Sequence, residues 1–454
     1  LAVIARLLTP ADFGVVAAAL AVLWIVQPLA GLSLFSSIVQ TPEIDQGRLN
    51  AVFWWSIGLS VVLTIVALLG APLLESLYGI PEVVGVARVL AIVFLVNGVS
   101  SVPFALLHRD LRFGVTSALE LVGLIVSAAA AIWLAARGFG YWSLVWHELV
   151  LYIVMTGGAW FFARWKPGAP RRLADISDLL SYGFYFSVFR MLRMLRVQAD
   201  RLIVGRLGSP AALGSYSTAS NLLLRIMQRI NGPVSNVAVS SLSRLQSMPQ
   251  EFRDHYRLAI LWSTSLSLPV ASFVALEPRL VVTGLLGPQW AEAIPIFQIL
   301  AIGAVAVLLR PGTAWVFRSI GRTDRQLRWG IVETIAYLAA FLFGARWGVV
   351  GIAVANAVVS YLNLVPLTLY CFRHSPVGVA DLLAGLWRPA VSVILAGLVW
   401  SLTPALPALS DRLIFQLVTA AAAFLAVFAA FWLAMPGGRR EAIDALRTTL
   451  GRTG

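Results

Sequence analysis

Six arginines stand out within predominantly apolar segments: Arg190, Arg193 and Arg196 within 179–204, Arg225 and Arg229 within 211–238, and Arg310 within 291–317. At about 100° per residue, Arg193, Arg196 and Asp200 share a helical face about 60° wide. Asn221, Arg225, Gln228, Arg229, Gly232 and Asn236 likewise fall in a stripe about 100° wide. An arginine at the centre of a spanning helix costs about 2.5–3.5 kcal/mol on insertion scales, so several together require water, a carboxylate or an anionic ligand. The guanidinium fork pairs with phosphate oxygens and keeps its charge at any working pH. One reading is a cationic cavity between two halves of a bundle that binds phosphate or pyrophosphate. Arg193 and Arg225 would stand at its centre, Arg196, Arg229, Arg190 and Arg310 around them, with Asn221, Gln228 and Asn236 adding hydrogen bonds. In the other reading, Arg190, Arg225 and Arg229 snorkel to an interface and Asp200 neutralises Arg196 one turn away.

Glu120, Glu148 (beside His147), Asp200 and Glu333 are the carboxylates within apolar segments. A carboxylate in low dielectric can exchange a proton and couple transport to a gradient, or can serve only as partner to an arginine or a neighbouring helix. Cys371 is the single cysteine and the four histidines form no ligand pair at helical spacing, so neither a disulfide nor a metal or cofactor site is expected. Trp142, Trp146 and Trp290 belong by type to the interfacial belts, with sugar stacking as the alternative.

These residues are set in a chain that repeats itself. Ala5-Arg6-Leu7-Leu8-Thr9-Pro10-Ala11-Asp12-Phe13-Gly14 reappears as Gly205-Arg206-Leu207-Gly208-Ser209-Pro210-Ala211-Ala212-Leu213-Gly214. Trp55-Ser56 matches Trp262-Ser263, and Leu111-Arg112-Phe113-Gly114 matches Leu327-Arg328-Trp329-Gly330. Two homologous helical halves are the usual construction of an alternating-access transporter. By the same register, the equivalent of residues 181–204 falls mostly before Leu1, which predicts a first helix largely missing from this chain.

With 59% hydrophobic residues, 12% charged and mean hydropathy +0.85, the chain carries half the charge of a soluble domain. The net charge of +13 is concentrated in short loops, which in a membrane protein is orientation charge and argues against nucleic acid as a partner. Apolar segments fall at 13–38, 50–74, 84–107, 113–136, 140–164, 179–204, 211–238, 257–277, 291–317, 328–345, 348–372, 387–405 and 413–435, after a stub of the first helix. Sixteen loop arginines and lysines lie on one side and eight, Arg201 among them, on the other, which places the richer loops and the tail in the cytoplasm. The tail from Gly437 has Ile443, Leu446 and Leu450 on one face among arginines, which fits either a helix lying on the inner membrane surface or a solvated, frayed end.

The repeated stretch from Ala5 to Gly14 resembles the start of Wzx-type polysaccharide exporters, close to the colanic acid exporter branch of the multidrug/oligosaccharidyl-lipid/polysaccharide flippase (MOP) superfamily. Leu106-Leu107-His108-Arg109-Asp110-Leu111-Arg112-Phe113, Gly138-Phe139-Gly140-Tyr141-Trp142-Ser143-Leu144, Asp200 to Gly208, and Leu286-Gly287-Pro288-Gln289-Trp290 extend the resemblance in order along nearly the whole chain. The resemblance implies an all-α integral membrane protein with two six-helix lobes, at 1–170 and 171–376, two additional helices within 377–436 and a basic tail at 437–454. It implies flipping of a polyprenyl-diphosphate-linked oligosaccharide from the cytoplasmic to the periplasmic leaflet of a bacterial inner membrane. Membrane lipids and a polysaccharide polymerase or export complex are the implied partners. A cation or drug antiporter of the same superfamily is the nearest alternative, and its cavity should be acidic or aromatic. A membrane-embedded polymerase is the alternative of another class, disfavoured by the absence of a large external loop and of paired carboxylates outside the membrane.

Overall fold

The computed structural model describes residues 2–30, 38, 44–170, 177–373, 375–402 and 413–438; the tail helix expected beyond residue 438 lies outside them. The described elements are α-helices joined by short turns. In chain order they are α1 (Ala2–Leu7), α2 (Pro10–Ala30), α3 (Gln46–Tyr78), α4 (Glu82–Leu90), α5 (Ile92–Arg109), α6 (Phe113–Ala136), α7 (Trp142–Ala163), α8 (Ser177–Leu207) and α9 (Pro210–Arg244). There follow α10 (Pro249–Leu276), α11 (Pro278–Leu286), α12 (Ala293–Leu309), α13 (Pro311–Ser319), α14 (Thr323–Gly344), α15 (Gly348–Phe372), α16 (Val379–Leu402) and α17 (Leu413–Ala434). Backbone polar groups cannot be left open to lipid, so a chain this apolar satisfies them within helices.

Each of the thirteen expected segments contains helix among its described residues, but their polarity divides them. Ten helical runs are long and apolar enough to cross a bilayer, one of which, Asp324–Phe372, holds two of the segments. At 31 and 35 residues α8 and α9 have the length, yet neither is among those apolar runs. Their polar side chains, which include five of the six arginines, are the reason. Prolines act as punctuation in two ways: Pro28, Pro233 and Pro269 lie inside helices, whereas Pro311 opens α13 and breaks the expected single helix 291–317 at Arg310.

The chain divides into two compact units, Leu1–Ser217 and Thr218–Gly454. In the first, α7 packs on α6 and α5, α3 on α5, and α2 on α8. Its core includes Val52, Phe53, Val102 and Ala105, with Phe53 edge-on to Trp160 and Trp165. In the second, α10 packs on α16 and α12, and α15 on α12 and α14, around Phe252, Tyr256, Trp315, Phe317 and Phe372. Elsewhere the helices turn apolar side chains outward, such as Leu69 and Leu73 of α3, Leu121 and Ile125 of α6, Leu362 and Val365 of α15, and Ile394 and Leu398 of α16. Such faces suit hydrocarbon, and the protein is a multi-pass membrane protein.

The repeated motif has a local structural meaning. Thr9 and Asp12 cap α2 reciprocally: the Asp12 amide donates to the Thr9 hydroxyl at 3.3 Å, and the Thr9 amide donates to the Asp12 carboxylate at 2.9 Å. Ser209 caps α9 by accepting from the Ala212 amide at 3.2 Å. Pro10 and Pro210 occupy the first helical position, where a missing N–H costs nothing. Gly14 and Gly214 then meet the opposite helix. A methyl group on Gly14 would overlap the Pro210 carbonyl, and one on Gly214 would overlap the Pro10 carbonyl. The two copies of the motif thus pack on each other, each glycine beneath the other's proline.

Candidate functional site

The lower half of α9, from Leu222 to Arg244, presents two opposed faces. Leu222, Leu223, Met227, Ala238 and Leu242 are buried, the last two in the core of the second unit. Arg225, Gln228, Arg229, Gly232, Asn236, Ser240 and Arg244 are exposed. Their spacing of three and four residues continues one stripe down the helix, and Asn221 stands half-buried at its head. Two guanidinium groups within a turn of each other cannot face hydrocarbon at tolerable cost. Such a face calls for water, lipid headgroups or an anionic ligand. Near its end, Asn236, Val237, Ser240, Ser241, Arg244, Leu245 and His255 of α10 line an open cleft of about 570 Å³.

On α8, Arg193 is exposed while Arg190 and Arg196 are half-buried. Asp200, one turn beyond Arg196, is buried. Its carboxylate accepts from the Tyr216 hydroxyl at 2.8 Å and from the Arg201 amide at 2.8 Å. Arg201 was expected in an outer loop; α8 instead runs on to Leu207 and buries it. Its guanidinium donates to Gln198 Oε1 at 2.9 Å and lies 6.0 Å from the Trp24 ring centroid. The i+1 step from Asp200 to Arg201, together with Tyr216 on the next helix, makes this a satisfied polar knot within the first unit.

Arg310 and Glu333, given separate roles by sequence, form one ion pair. The Arg310 guanidinium donates to Glu333 Oε1 across the break between α12 and α13, with the Glu333 side chain 7% exposed and that of Arg310 18%. Their separation of 23 residues gave no signal of this. A charge pair in low dielectric is tolerated because each group neutralises the other.

The remaining carboxylates differ in setting. Glu120 is exposed on α6 beside outward-facing Leu121. Half-buried Glu148 of α7 lines a cavity of about 20 Å³ with Leu20, Trp24, Gln27, Phe94 and Tyr152. Gln27 Nε2 donates to the Tyr152 hydroxyl at 2.9 Å in its wall. That volume has room for about one water. Gln27 and Tyr152 lie 125 residues apart, and their pairing was not visible in sequence. Among the tryptophans, Trp290 is fully buried, which removes it from sugar stacking; Trp146 is exposed. Among the described residues no group of three or more metal-ligating side chains comes together.

A polar stripe with paired arginines on one long helix of an otherwise lipid-compatible chain marks a candidate functional face. Comparison with known proteins agrees. Residues 3–295 match the family described as polysaccharide biosynthesis protein. The chain belongs to this family. It is 24% identical over 405 residues to the succinoglycan biosynthesis transport protein ExoT of Rhizobium meliloti (strain 1021), covering 87% of this chain and 81% of ExoT. It is 20% identical over 376 residues to the lipopolysaccharide biosynthesis protein WzxC of Escherichia coli (strain K12), covering 80% and 74% respectively. Its fold is that of the lipid II flippase MurJ in its inward closed conformation, at a TM-score of 0.74, 12% identity and 95% coverage of both chains. An inward-facing multidrug resistance MATE family transporter of the MOP superfamily matches at TM-score 0.65 and 16% identity, over 86% of this chain and 93% of that one. The expected polysaccharide exporter family and the all-helical membrane fold therefore stand.

Proposed function

We propose that this polysaccharide biosynthesis family member flips a polyprenyl-diphosphate-linked oligosaccharide from the cytoplasmic to the periplasmic leaflet of a bacterial inner membrane by alternating access. The observation that carries the reading is the exposed face of α9, where Arg225, Gln228, Arg229 and Asn236 replace the leucines and valines that other helices turn outward. Family membership and the names of ExoT and WzxC support polysaccharide cargo. Arg225, assisted by Arg229, on α9 and Arg193, assisted by Arg196, on α8 are each bidentate donors suited to a diphosphate; Arg190 is a peripheral cation. Asn221, Gln228 and Asn236 add neutral hydrogen bonds.

Arg310 and Glu333 we assign to a neutral pair that holds the helix break, and Asp200 to the knot with Tyr216 and Arg201. Glu148, in its small cavity, is then the best-placed proton-coupling carboxylate, and exposed Glu120 is secondary. Membrane lipid is the surrounding solvent, and a polymerase or export complex would take up the flipped product. The exposed cations disfavour a cation or drug antiporter, whose substrate they would repel.

The double variant Arg193→Ala/Arg225→Ala is expected to reduce polysaccharide export at least tenfold while protein levels in the membrane stay close to wild type. Each lost charged hydrogen bond contributes about 1.5–3 kcal/mol, and 1.4 kcal/mol is a factor of ten. Quantifying surface polysaccharide against immunoblotted protein checks this, and full export by the double variant removes the anion site.

A further inference from the structure

At its lower end the α9 stripe changes chemistry. Arg225 and Arg229 present donors only, as an acceptor-rich diphosphate requires. The cleft is different. Its polar side chains are Asn236, Ser240, Ser241 and Arg244 of α9 and His255 of α10. An amide and two hydroxyls both donate and accept, and a guanidinium offers a planar set of donors. His255 Nδ1 lies 2.9 Å from the Glu251 carbonyl oxygen. A carbonyl can only accept, so Nδ1 donates to it and Nε2 is left for a ligand. Among the described residues, no hydrogen bond or ion pair occupies the side chains of Asn236, Ser240, Ser241 or Arg244.

A ring of hydroxyl groups, each donor and acceptor at once, satisfies every member of the cleft. The spacing is also right. From Arg229 to Ser240 is eleven residues, about 16 Å along the helix axis, a distance that a short chain of pyranose rings spans. The charge pattern of the loops places this end of α9 on the cytoplasmic side, where the cargo is collected.

We infer that the cleft formed by Asn236, Ser240, Ser241, Arg244 and His255 is a carbohydrate subsite that reads the sugars of the cargo while the arginines higher on α9 hold its diphosphate. The inference rests on the proposed flippase activity. Ser240, Ser241, Arg244 and His255 are then specificity-determining residues.

The test uses the purified full-length protein in vesicles with two probes. One is the complete lipid-linked repeat extracted from the producing cells; the other is a polyprenyl diphosphate carrying a single glucose. The reading is the ratio of their flipping rates. Wild type is expected to prefer the complete repeat. In Ser240→Ala/Ser241→Ala that preference falls about tenfold, the loss expected for two neutral hydrogen bonds. His255→Ala, which removes the ring, lowers it in the same direction. Equal slowing of both lipids would show a structural role and overturn the subsite, as would a ratio identical to wild type. If wild-type protein flips neither lipid, the flippase reading itself fails.

Discussion

Gly14→Ala and Gly214→Ala, made singly, are expected to destabilise the protein by about 3 kcal/mol each, the upper end of overpacking costs, and to abolish export. In each case the added methyl meets a backbone carbonyl on the opposing helix, that of Pro210 or Pro10. A flexible side chain could swing aside; a carbonyl in the first turn of a capped helix cannot, so α2 and α9 must separate. Because both glycines belong to one contact, the double variant should cost clearly less than the sum of the two singles. Gly58→Ala is the control. It lies within α3 with nothing within 4 Å of the added carbon, and replacing a helical glycine there should be neutral or gain about 0.5–1 kcal/mol. Thermal unfolding of the purified proteins checks all four, with export measured alongside. Full export and unshifted unfolding in both single variants would show that the close contact is not required.

The second large effect concerns the ion pair between Arg310 and Glu333. Glu333→Ala leaves a guanidinium largely buried without its counter-charge, a loss of about 3–5 kcal/mol. The protein should fall to a small fraction of its wild-type level in the membrane. The double change Arg310→Met/Glu333→Met removes both charges and should recover most of that level, since an apolar pair of similar volume replaces a desolvated ionic one at little cost. Quantitative immunoblotting of membranes and unfolding in detergent distinguish this from a coupling role. If Glu333 carried the coupling proton, the double variant would be abundant yet inactive, and Glu333→Ala alone would be stable.

Several features of the site were legible because they are periodic. Asn221, Arg225, Gln228, Arg229, Gly232 and Asn236 repeat at three and four residues, and the helix that this spacing demands is present. The expected end of that helix at residue 238 was too early, since α9 continues to Arg244. Ser240, Ser241 and Arg244 were thereby assigned to a polar loop, although 236, 240 and 244 continue the same face. A polar run is poor evidence for a helix end when the face itself is polar. Arg201 was counted with the loop charges although it falls inside the expected segment 179–204.

The pairings were not legible. Arg310 with Glu333, Asp200 with Tyr216, and Gln27 with Tyr152 join residues on different helices, and one-dimensional spacing carries no distance between helices. The repeated motif is the intermediate case. Its caps, Thr9 and Ser209, and its N1 prolines can be read from residue type. That Gly14 and Gly214 lie against each other's motif is a tertiary fact, which only the packed helices reveal.

The most direct test of the central reading is the sidedness of the lipid-linked oligosaccharide in cells depleted of this protein. Flipping predicts that completed repeats accumulate on the cytoplasmic leaflet and that surface polysaccharide is lost, both reversed by restoring the protein. Normal sidedness, with no accumulation on depletion, would contradict the flippase assignment.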